Sequence, residues 1–458
     1  MAFMGRAQRH PEWLPVRPVR AVAPDVAERT RRRVTRRMMP FLILVYLTAY
    51  IDRANVGIAK LQMQSELHLT DAVIGFGAGI FFAGYFLLEL PGTLIVERWS
   101  ARKWLARIMI SWGGVATLTG FAGLLPIRGV NLTQQFYWLR FLLGAAEAGF
   151  FPGVVVYLAH WYRAGDRARA KAWFMIAQPL SVVIGLPISR WILENVHWLG
   201  LSGWRWVFIL EGFPPVVLGF VTLFYLTDRV HQARWLAPDE REWLAAQLAA
   251  EDRERTAQGR VNMAAAFQHP QTLLLAFSFF LIVTGNQAIL FFLPSITDAM
   301  KSMSITARTA VTVLPYVFSV FGILLNGYWS SRTGERRWHT AAPMMMSGFS
   351  LSLAILSGDH LALVIACFCL VGFTFQAYLP VFWSLPSSFL GKSASAAAVG
   401  VINSFGNLGG FVGPFIFGSL RTSTGSYRAG LWILTGCMFL AGVCASAIRI
   451  SNSERPIS

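Results

Sequence analysis

The chain has 458 residues, of which 55% are hydrophobic and 14% charged, and its mean hydropathy is +0.50. Average soluble domains carry about 25% charged residues, so this composition excludes an ordinary soluble domain. The net charge of +17 is spread over many short loops with no zinc-ligand pattern or folded basic domain. We therefore expect contact with the lipid bilayer and no nucleic-acid binding.

Twelve apolar segments have roughly the 20 residues needed to cross about 30 Å of hydrocarbon. They are continuously apolar rather than alternating, which predicts membrane helices and not barrel strands. The segments are 38–59, 73–96, 105–125, 135–161, 170–194, 204–226, 270–293, 309–330, 339–357, 361–385, 395–419 and 428–449. The predicted fold class is an all-α membrane protein with twelve transmembrane helices in two pseudo-symmetric halves of six.

The predicted domain plan has five parts, because one stretch rich in both signs of charge divides the apolar segments equally. These are a basic tail (1–37), an N-terminal six-helix half (38–226), a linker (227–269), a C-terminal six-helix half (270–449) and a short tail (450–458). Roughly 30 of the 40 Lys and Arg residues fall in tails and loops on one side of this plan. We expect both termini and the linker in the cytoplasm. Frequent Ala and Arg suggest a GC-rich bacterial genome, and hence the inner (plasma) membrane.

No cofactor or metal site is predicted. The four cysteines all lie in predicted helices and are interpreted as small buried hydrophobic residues. The eight histidines lie in tails, loops or at helix ends, and no motif brings two of them together.

Two ionisable residues, Asp52 and Arg53, lie inside the apolar run 41–56. An unpaired charge there would cost several kcal/mol, so such residues usually have a function. Asp52 and Arg140 reach similar depths in the predicted helices, and we expect them to pair in at least one conformation.

Arg140 and Glu147 are seven residues apart, on one face of the fourth predicted helix. Glu147 falls near the bilayer midplane, which makes it a candidate proton carrier together with Asp52. Arg53 points about 100° away from Asp52 and can face a central cavity, where its guanidinium could hold a carboxylate through two parallel hydrogen bonds. The alternative is a fixed salt-bridge network that only ties two helices together.

Two loops repeat a pattern of arginine, small residue, basic pair and tryptophan. The first contains Glu97, Arg98, Arg102 and Lys103, and the second contains Arg332, Gly334, Arg336 and Arg337. These loops resemble the signature of the major facilitator superfamily, which implies a gating role. Ser331 replaces the acid of the signature in the second copy, and Ser100 stands in the first copy where a glycine is expected.

A narrower resemblance covers nearly the whole chain. The motifs that carry it are Tyr50-Ile-Asp-Arg-Ala-Asn-Val-Gly57, Phe81-Phe-Ala-Gly-Tyr85 with Glu89-Leu-Pro91, Arg140-x3-Gly144-x2-Glu147, Phe151-Pro-Gly153, Trp161-Tyr162, and Gly203-Trp-Arg-Trp206 with Glu211-Gly212. Together they resemble the anion:cation symporter family, whose members carry organic anions such as sugar acids, tartrate, phthalate and hydroxyphenylacetate, usually with protons. The resemblance implies that Tyr85, Gln178, Trp383 and Asn403 face the substrate. Weaker candidates, which could equally hydrogen-bond between helices, are Asn286, Gln287 and Asn407.

The predicted function is import of a small organic carboxylate by proton symport with alternating access. We expect the transporter to be a monomer. A membrane receptor for an organic acid is the alternative, although no signalling domain is attached. An enzyme is not expected, because we find no nucleophile, metal site or acid–base dyad at either bilayer face. The sequence leaves open which anion is carried, whether protons or sodium ions drive it, and whether the protein imports or exchanges.

Overall fold

The computed structural model describes residues 24–98, 100–257, 268–358, 360–390 and 392–449. Throughout these ranges the secondary structure is helical, with no strand. The predicted tails before residue 24 and after residue 449 lie outside the described residues, as does part of the predicted linker.

Fifteen α-helices are described. The N-terminal half contains α1 (Pro24–Leu67), α2 (Asp71–Arg98), α3 (Ala101–Thr119), α4 (Leu132–Glu147), α5 (Phe150–Ala159), α6 (Ala164–Asn195) and α7 (Gly203–Tyr225). The linker region contains α8 (Pro238–Ala257). The C-terminal half contains α9 (Pro270–Asp298), α10 (Ile305–Thr333), α11 (Arg337–Leu356), α12 (Leu361–Phe375), α13 (Leu379–Phe382), α14 (Lys392–Thr424) and α15 (Tyr427–Ser446).

Each of the twelve predicted segments corresponds to one helix or to one broken pair of helices. In the described part of the chain, ten of these are long and apolar enough to cross a membrane, by length and composition. The other two, α3 and α11, hold the same position in their halves, each third among the six. They begin with basic residues and pack against neighbouring spans, α3 on α4 and α7 and α11 on α12 and α15.

The fourth segment of each half was predicted as one continuous helix, and this was wrong. In the N-terminal half α4 ends at Glu147, because Ala148 has an extended ψ of 135° and Gly149 has a left-handed φ of 82°. The helix restarts as α5. The equivalent segment of the C-terminal half breaks between α12 and α13. The hydropathy scan missed both breaks, because an average over about 20 residues stays apolar across the two or three residues of a break.

The predicted basic tail (1–37) is helical from Pro24 onwards, where α1 extends well beyond its apolar segment. Two arginines of this extension bind one carboxylate of α8. Arg29 Nε lies 3.0 Å from Glu240 Oε1, and Arg33 Nη1 lies 2.7 Å from Glu240 Oε2, with the glutamate fully buried. The linker helix is thereby held against the N-terminal half.

The two halves touch most closely where α2 of one packs on α14 of the other. A Cβ on Gly75 would lie 2.3 Å from the carbonyl oxygen of Pro414, and a Cβ on Gly418 would lie 2.2 Å from that of Asp71. Only glycine permits this backbone approach, because any larger side chain would overlap the neighbouring helix.

Ion pairs join the halves at the same end of the bundle, where α1 ends and α2 begins, which we call the distal end. Arg190 of α6 lies 3.0 Å from Asp298 of α9, and that aspartate also binds Arg308 at 2.6 Å. Arg421 of α14 lies 4.0 Å from Asp71 of α2. In this conformation the distal end is therefore closed between the halves.

Candidate functional site

A cavity of about 130 Å³ lies between the two halves. The five residues predicted to bind substrate all line it, and they come from five different helical segments. These are Arg53, Tyr85, Gln178, Trp383 and Asn403. The three weaker candidates, Asn286, Gln287 and Asn407, line it as well. The tertiary structure thus brings together residues that are far apart in the sequence, since Arg53 and Asn403 are separated by 350 positions (403 − 53).

The charged residue that lines the cavity is Arg53 of α1, which forms an ion pair with Glu147 of α4. Arg53 Nη2 lies 2.7 Å from Glu147 Oε1, and Arg53 Nε donates to the same oxygen at 2.9 Å. The guanidinium carbon lies 5.1, 5.3 and 5.2 Å from the ring centres of Tyr50, Phe81 and Tyr85. Aromatic faces at this distance stabilise a cation. Arg53 is therefore held at the cavity by one carboxylate and three rings.

The position of Glu147 follows from the local structure of α4. Gly144, one turn earlier, packs so closely on α2 that a Cβ would lie 1.8 Å from the carbonyl oxygen of Phe81. Glu147 is the last residue before the break, and its Oε2 has no hydrogen-bond partner in the structure. One oxygen of this buried carboxylate is thus committed to Arg53 and the other is not.

Asp52 and Arg140 are both fully buried, but no ion pair within 4 Å joins them. Asp52 Oδ1 accepts a hydrogen bond of 3.2 Å from Asn55 Nδ2. Arg140 Nε donates to the carbonyl oxygen of Gly77 at 3.4 Å, and its Nη1 and Nη2 have no partner. The pairing of Asp52 with Arg140 stays a prediction for another conformation.

Sequence reasoning missed the role of Glu89, a buried carboxylate of α2 that bridges the halves. Asn403 Nδ2 donates to Glu89 Oε1 at 2.6 Å, and Asn407 Nδ2 donates to Glu89 Oε2 at 2.8 Å. The glutamate therefore orients both amides at the cavity. A signal was present, since Glu89 interrupts an apolar run and the two asparagines are four residues apart, on one helix face.

Neutral side chains take the corresponding positions in the C-terminal half. Asn286 Nδ2 of α9 donates to the carbonyl oxygen of Phe375 at 3.1 Å, where α12 ends. Gln376, the next residue, lines the cavity and accepts a hydrogen bond of 3.1 Å from Ser319. Gln376 was not among the predicted site residues, and nothing in its sequence context distinguishes it.

The first predicted gating loop is anchored by an aspartate that the sequence analysis did not consider. The backbone N–H of Arg102 donates to Asp228 Oδ1 at 2.9 Å, and its side chain donates to the carbonyl oxygen of Leu223 at 2.9 Å. Ser100 has an extended φ of −118°, and its hydroxyl caps α3 by accepting from the Lys103 N–H. No glycine is needed at this position. The side chains of Glu97 and Arg98 lie outside the described part of the structure.

The second predicted gating loop turns differently. Gly334 ends α10 with a left-handed φ of 70°, and Arg336 directly precedes α11. Arg332 Nη1 donates to the hydroxyl of Tyr328 at 3.2 Å, and Arg337 lies 5.4 Å from the ring centre of its neighbour Trp338. The two loops share a sequence pattern but not a backbone conformation.

Two six-segment halves with a cavity between them, lined by both polar and aromatic side chains, are typical of a multi-pass membrane carrier. The fold is similar to a solved structure, "Inward open conformation of the xylose transporter XylE from E. coli", with a TM-score of 0.71, 15% identity, and coverage of 91% of this chain and 97% of that one. At this identity the likeness concerns the fold alone.

The family follows from the sequence comparisons. The model of the Major Facilitator Superfamily matches residues 42–414 and, in a second match, residues 275–456. A relative from Agrobacterium vitis named "Putative tartrate transporter" is 40% identical over 94% of this chain and 97% of its own length. A relative from Acinetobacter baumannii named "Quinolone resistance transporter" is 35% identical over 93% of this chain and 95% of its own length.

The chain belongs to the major facilitator superfamily. The predicted fold class is confirmed, since that fold has twelve membrane helices in two halves. The prediction that the protein is a transporter and not an enzyme is confirmed as well. The narrower resemblance to symporters of organic anions agrees with the name of the Agrobacterium vitis relative.

Proposed function

We propose that this protein imports a small organic carboxylate together with protons, by alternating access in the inner membrane of a bacterium. In this orientation both termini and α8 lie in the cytoplasm, and the closed distal end faces outwards. The proposal rests on the placement of positive charge along the chain and on the chemistry of the cavity.

The observation that carries the proposal is the ion pair between Arg53, which lines the cavity, and the buried Glu147. A substrate carboxylate and Glu147 compete for the same guanidinium. When the anion takes Arg53, Glu147 loses the guanidinium with which it is paired, and a buried carboxylate that loses its ion-pair partner costs several kcal/mol. Uptake of one proton by Glu147 removes that cost. Anion binding and proton binding therefore favour each other, which is the linkage that symport requires.

The transport cycle follows from this exchange. With the distal end open, one carboxylate binds Arg53 and one proton binds Glu147, so the charge at the site is the same as in the empty ion pair. The halves then rock to the conformation seen here, with the distal end closed. Loss of the proton to the cytoplasm restores the Glu147 carboxylate, which displaces the anion from Arg53. Asp52, buried beside this pair, is the second proton carrier.

The neutral side chains of the cavity suit a substrate that also carries hydroxyl groups. Gln178 comes from the N-terminal half, and Asn403 and Asn407 come from the C-terminal half. Because Glu89 holds the NH2 groups of both asparagines, their carbonyl oxygens are left to accept hydrogen bonds from substrate.

A second candidate is the removal of an aromatic compound from the cell. The Acinetobacter baumannii relative carries a drug-resistance name, and the cavity has an aromatic lining that includes Tyr46, Phe82, Phe279 and Trp383. The same site would then work in the opposite direction.

The test is lumenal pH in proteoliposomes of the purified protein. Sugar acids, tartrate, phthalates and hydroxyphenylacetates are added outside, one at a time. We expect one acid to acidify the lumen with wild type and with Arg428→Ala, an exposed arginine of α15, but not with Arg53→Ala. No response to any acid would contradict proton symport. Movement of an aromatic compound against the imposed proton flow would support the second candidate.

A further inference from the structure

A further buried carboxyl group, Glu211 of α7, has no part in the exchange described above. Glu211 is only 6% exposed. Ser189 of α6 donates a hydrogen bond of 2.6 Å to Glu211 Oε1. The other oxygen, Oε2, has no hydrogen-bond partner in the structure.

Glu211 is linked to Asp52 through a single side chain. Asn55, one turn after Asp52 in α1, donates its NH2 group to Asp52 Oδ1 and interacts with the Glu211 carboxyl as well. Asn55 Oδ1 has no partner, and neither has Glu211 Oε2. Both atoms are hydrogen-bond acceptors. Protonation of Glu211 removes a buried negative charge whose Oε2 receives no hydrogen bond from the described residues.

No cation faces Glu211 in the described part of the chain. The helices packed on α7 are α1, α3 and α6. The group acting from α1 is Asp52, itself an acid. From α3, the atoms next to Gly212 belong to Ala116 and Thr117, which carry no charge. From α6, the nearest contact is the Ser189 hydroxyl.

The neighbouring arginines are committed elsewhere. Arg190, beside Ser189, pairs with Glu194 and Asp298. Arg205, on α7 itself, binds Glu66 and the carbonyl oxygens of two residues after α3. A Glu211 carboxylate would therefore be a buried charge without a counter-ion, which costs several kcal/mol.

The position of Glu211 along the membrane is also informative. It lies eight residues after the start of α7 at the distal end, about 12 Å along the helix axis. Asp52 lies fifteen residues before the distal end of α1, about 22 Å from that end. Glu211 is thus about 10 Å closer to the distal end than Asp52.

We propose that Glu211 is a proton-binding residue of the coupling machinery, through which protons from the distal side reach Asp52. The proton on Glu211 passes to Asp52 in the conformation that brings the two carboxyl groups within hydrogen-bond reach of each other or of one water. Each has one oxygen, Glu211 Oε2 and Asp52 Oδ2, without a hydrogen-bond partner among the described residues. Glu211 then binds a new proton from the solution on the distal side. One proton therefore enters the protein from that side for each proton that Asp52 receives. This inference rests on the proposed proton symport.

The test compares Glu211→Gln with wild type and with Glu242→Gln, an exposed carboxylate of α8. Glutamine keeps the shape of the side chain and can still accept from Ser189. We expect proton-driven uptake by Glu211→Gln to fall about tenfold or more, the range of a lost proton-transfer group. Exchange of substrate across the membrane needs no net proton movement. Its rate in Glu211→Gln should therefore stay within about twofold of wild type, well below the tenfold change that corresponds to 1.4 kcal/mol. Glu211→Asp should restore part of the proton-driven rate.

A second readout is the infrared C=O stretch of protonated carboxyl groups, from which Glu211→Gln should lose one band that wild type and Glu242→Gln retain. If Glu211→Gln has the uptake and the pH profile of wild type, Glu211 is a structural residue and this inference is overturned. In that case symport still stands, provided that the wild-type protein acidifies the lumen when substrate is added. Wild type without substrate-dependent proton movement would overturn symport, and this inference with it.

Discussion

The two halves of the molecule share a backbone plan and differ in charge. In both, the fourth segment breaks near its middle, and a glycine before the break packs against a carbonyl oxygen of the second segment. Gly144 contacts Phe81 in this way, and Gly372 contacts Pro315. At the break, however, the N-terminal half presents Glu147 bound to an arginine, whereas the C-terminal half presents neutral amide groups.

This difference separates two tasks. In the described part of the chain, four charged residues cluster near the cavity in the N-terminal half, where Asp52, Arg53, Arg140 and Glu147 are all buried or nearly so. Asn286 occupies the place in α9 that Asp52 occupies in α1, because each lies 46 residues before the first arginine of the repeated loop pattern (98 − 52 and 332 − 286). We infer that one half handles charge and the other recognises substrate through neutral hydrogen bonds.

The sharpest way to break the comparison is to neutralise the charged half. Glu147→Gln removes the carboxylate that competes for Arg53, so anion exchange should persist while accumulation driven by a pH gradient is lost. Removing one partner of a buried ion pair changes its energy by about 3–5 kcal/mol, which makes this the largest expected effect. The measurement is uptake with and without an imposed pH gradient, with Glu242→Gln as the control. Uptake by Glu147→Gln that still follows the gradient would count against proton coupling at this residue.

An intermediate effect is expected from the packing that both halves share. In Gly144→Ala and Gly372→Ala the new Cβ would lie 1.8 and 2.1 Å from backbone oxygens, so helices must shift. Such overpacking costs about 1–3 kcal/mol. We expect the melting temperature of the purified protein to fall in both variants. It should not change in Gly436→Ala, whose Cβ would meet no atom within 4 Å. A fall for only one half would show that the packing is not equivalent.

The smallest effect tests the neutral half. Gln376→Glu places a carboxyl group at the cavity where the described part of the C-terminal half offers Ser319 as its partner and no arginine. Repulsion of the substrate anion should raise KM about tenfold, or 1.4 kcal/mol, and less at lower pH, where the new carboxyl is protonated. KM measured over a pH series checks this. An unchanged KM at every pH would place the substrate away from Gln376.

Sequence reasoning found the site more completely than it found the contacts within it. Depth along a helix follows from counting residues, and so Asp52, Arg53, Arg140 and Glu147 could be placed at one level. Which of them pair depends on how each helix is rotated and how closely it approaches its neighbour. The counting favoured Asp52 with Arg140, and the structure has Arg53 with Glu147.

The partners of Glu89 and Glu211 could not be read from the sequence for the same reason. Each is one polar residue in an apolar segment, and its partners come from other helices. Glu89 binds Asn403 and Asn407, which are more than 300 residues away, as 403 − 89 shows. Glu211 meets Ser189 and Asn55.

The sequence by itself determined the membrane segments, the two halves and the set of buried charges, because the cost of exposing backbone and charge to lipid acts on every residue regardless of its neighbours. Only the tertiary structure decided the breaks in the fourth segments, the partner of each charge and the closure of the distal end. These depend on backbone approach of a few ångströms between distant helices, which small residues such as Gly144 and Gly75 permit but do not specify.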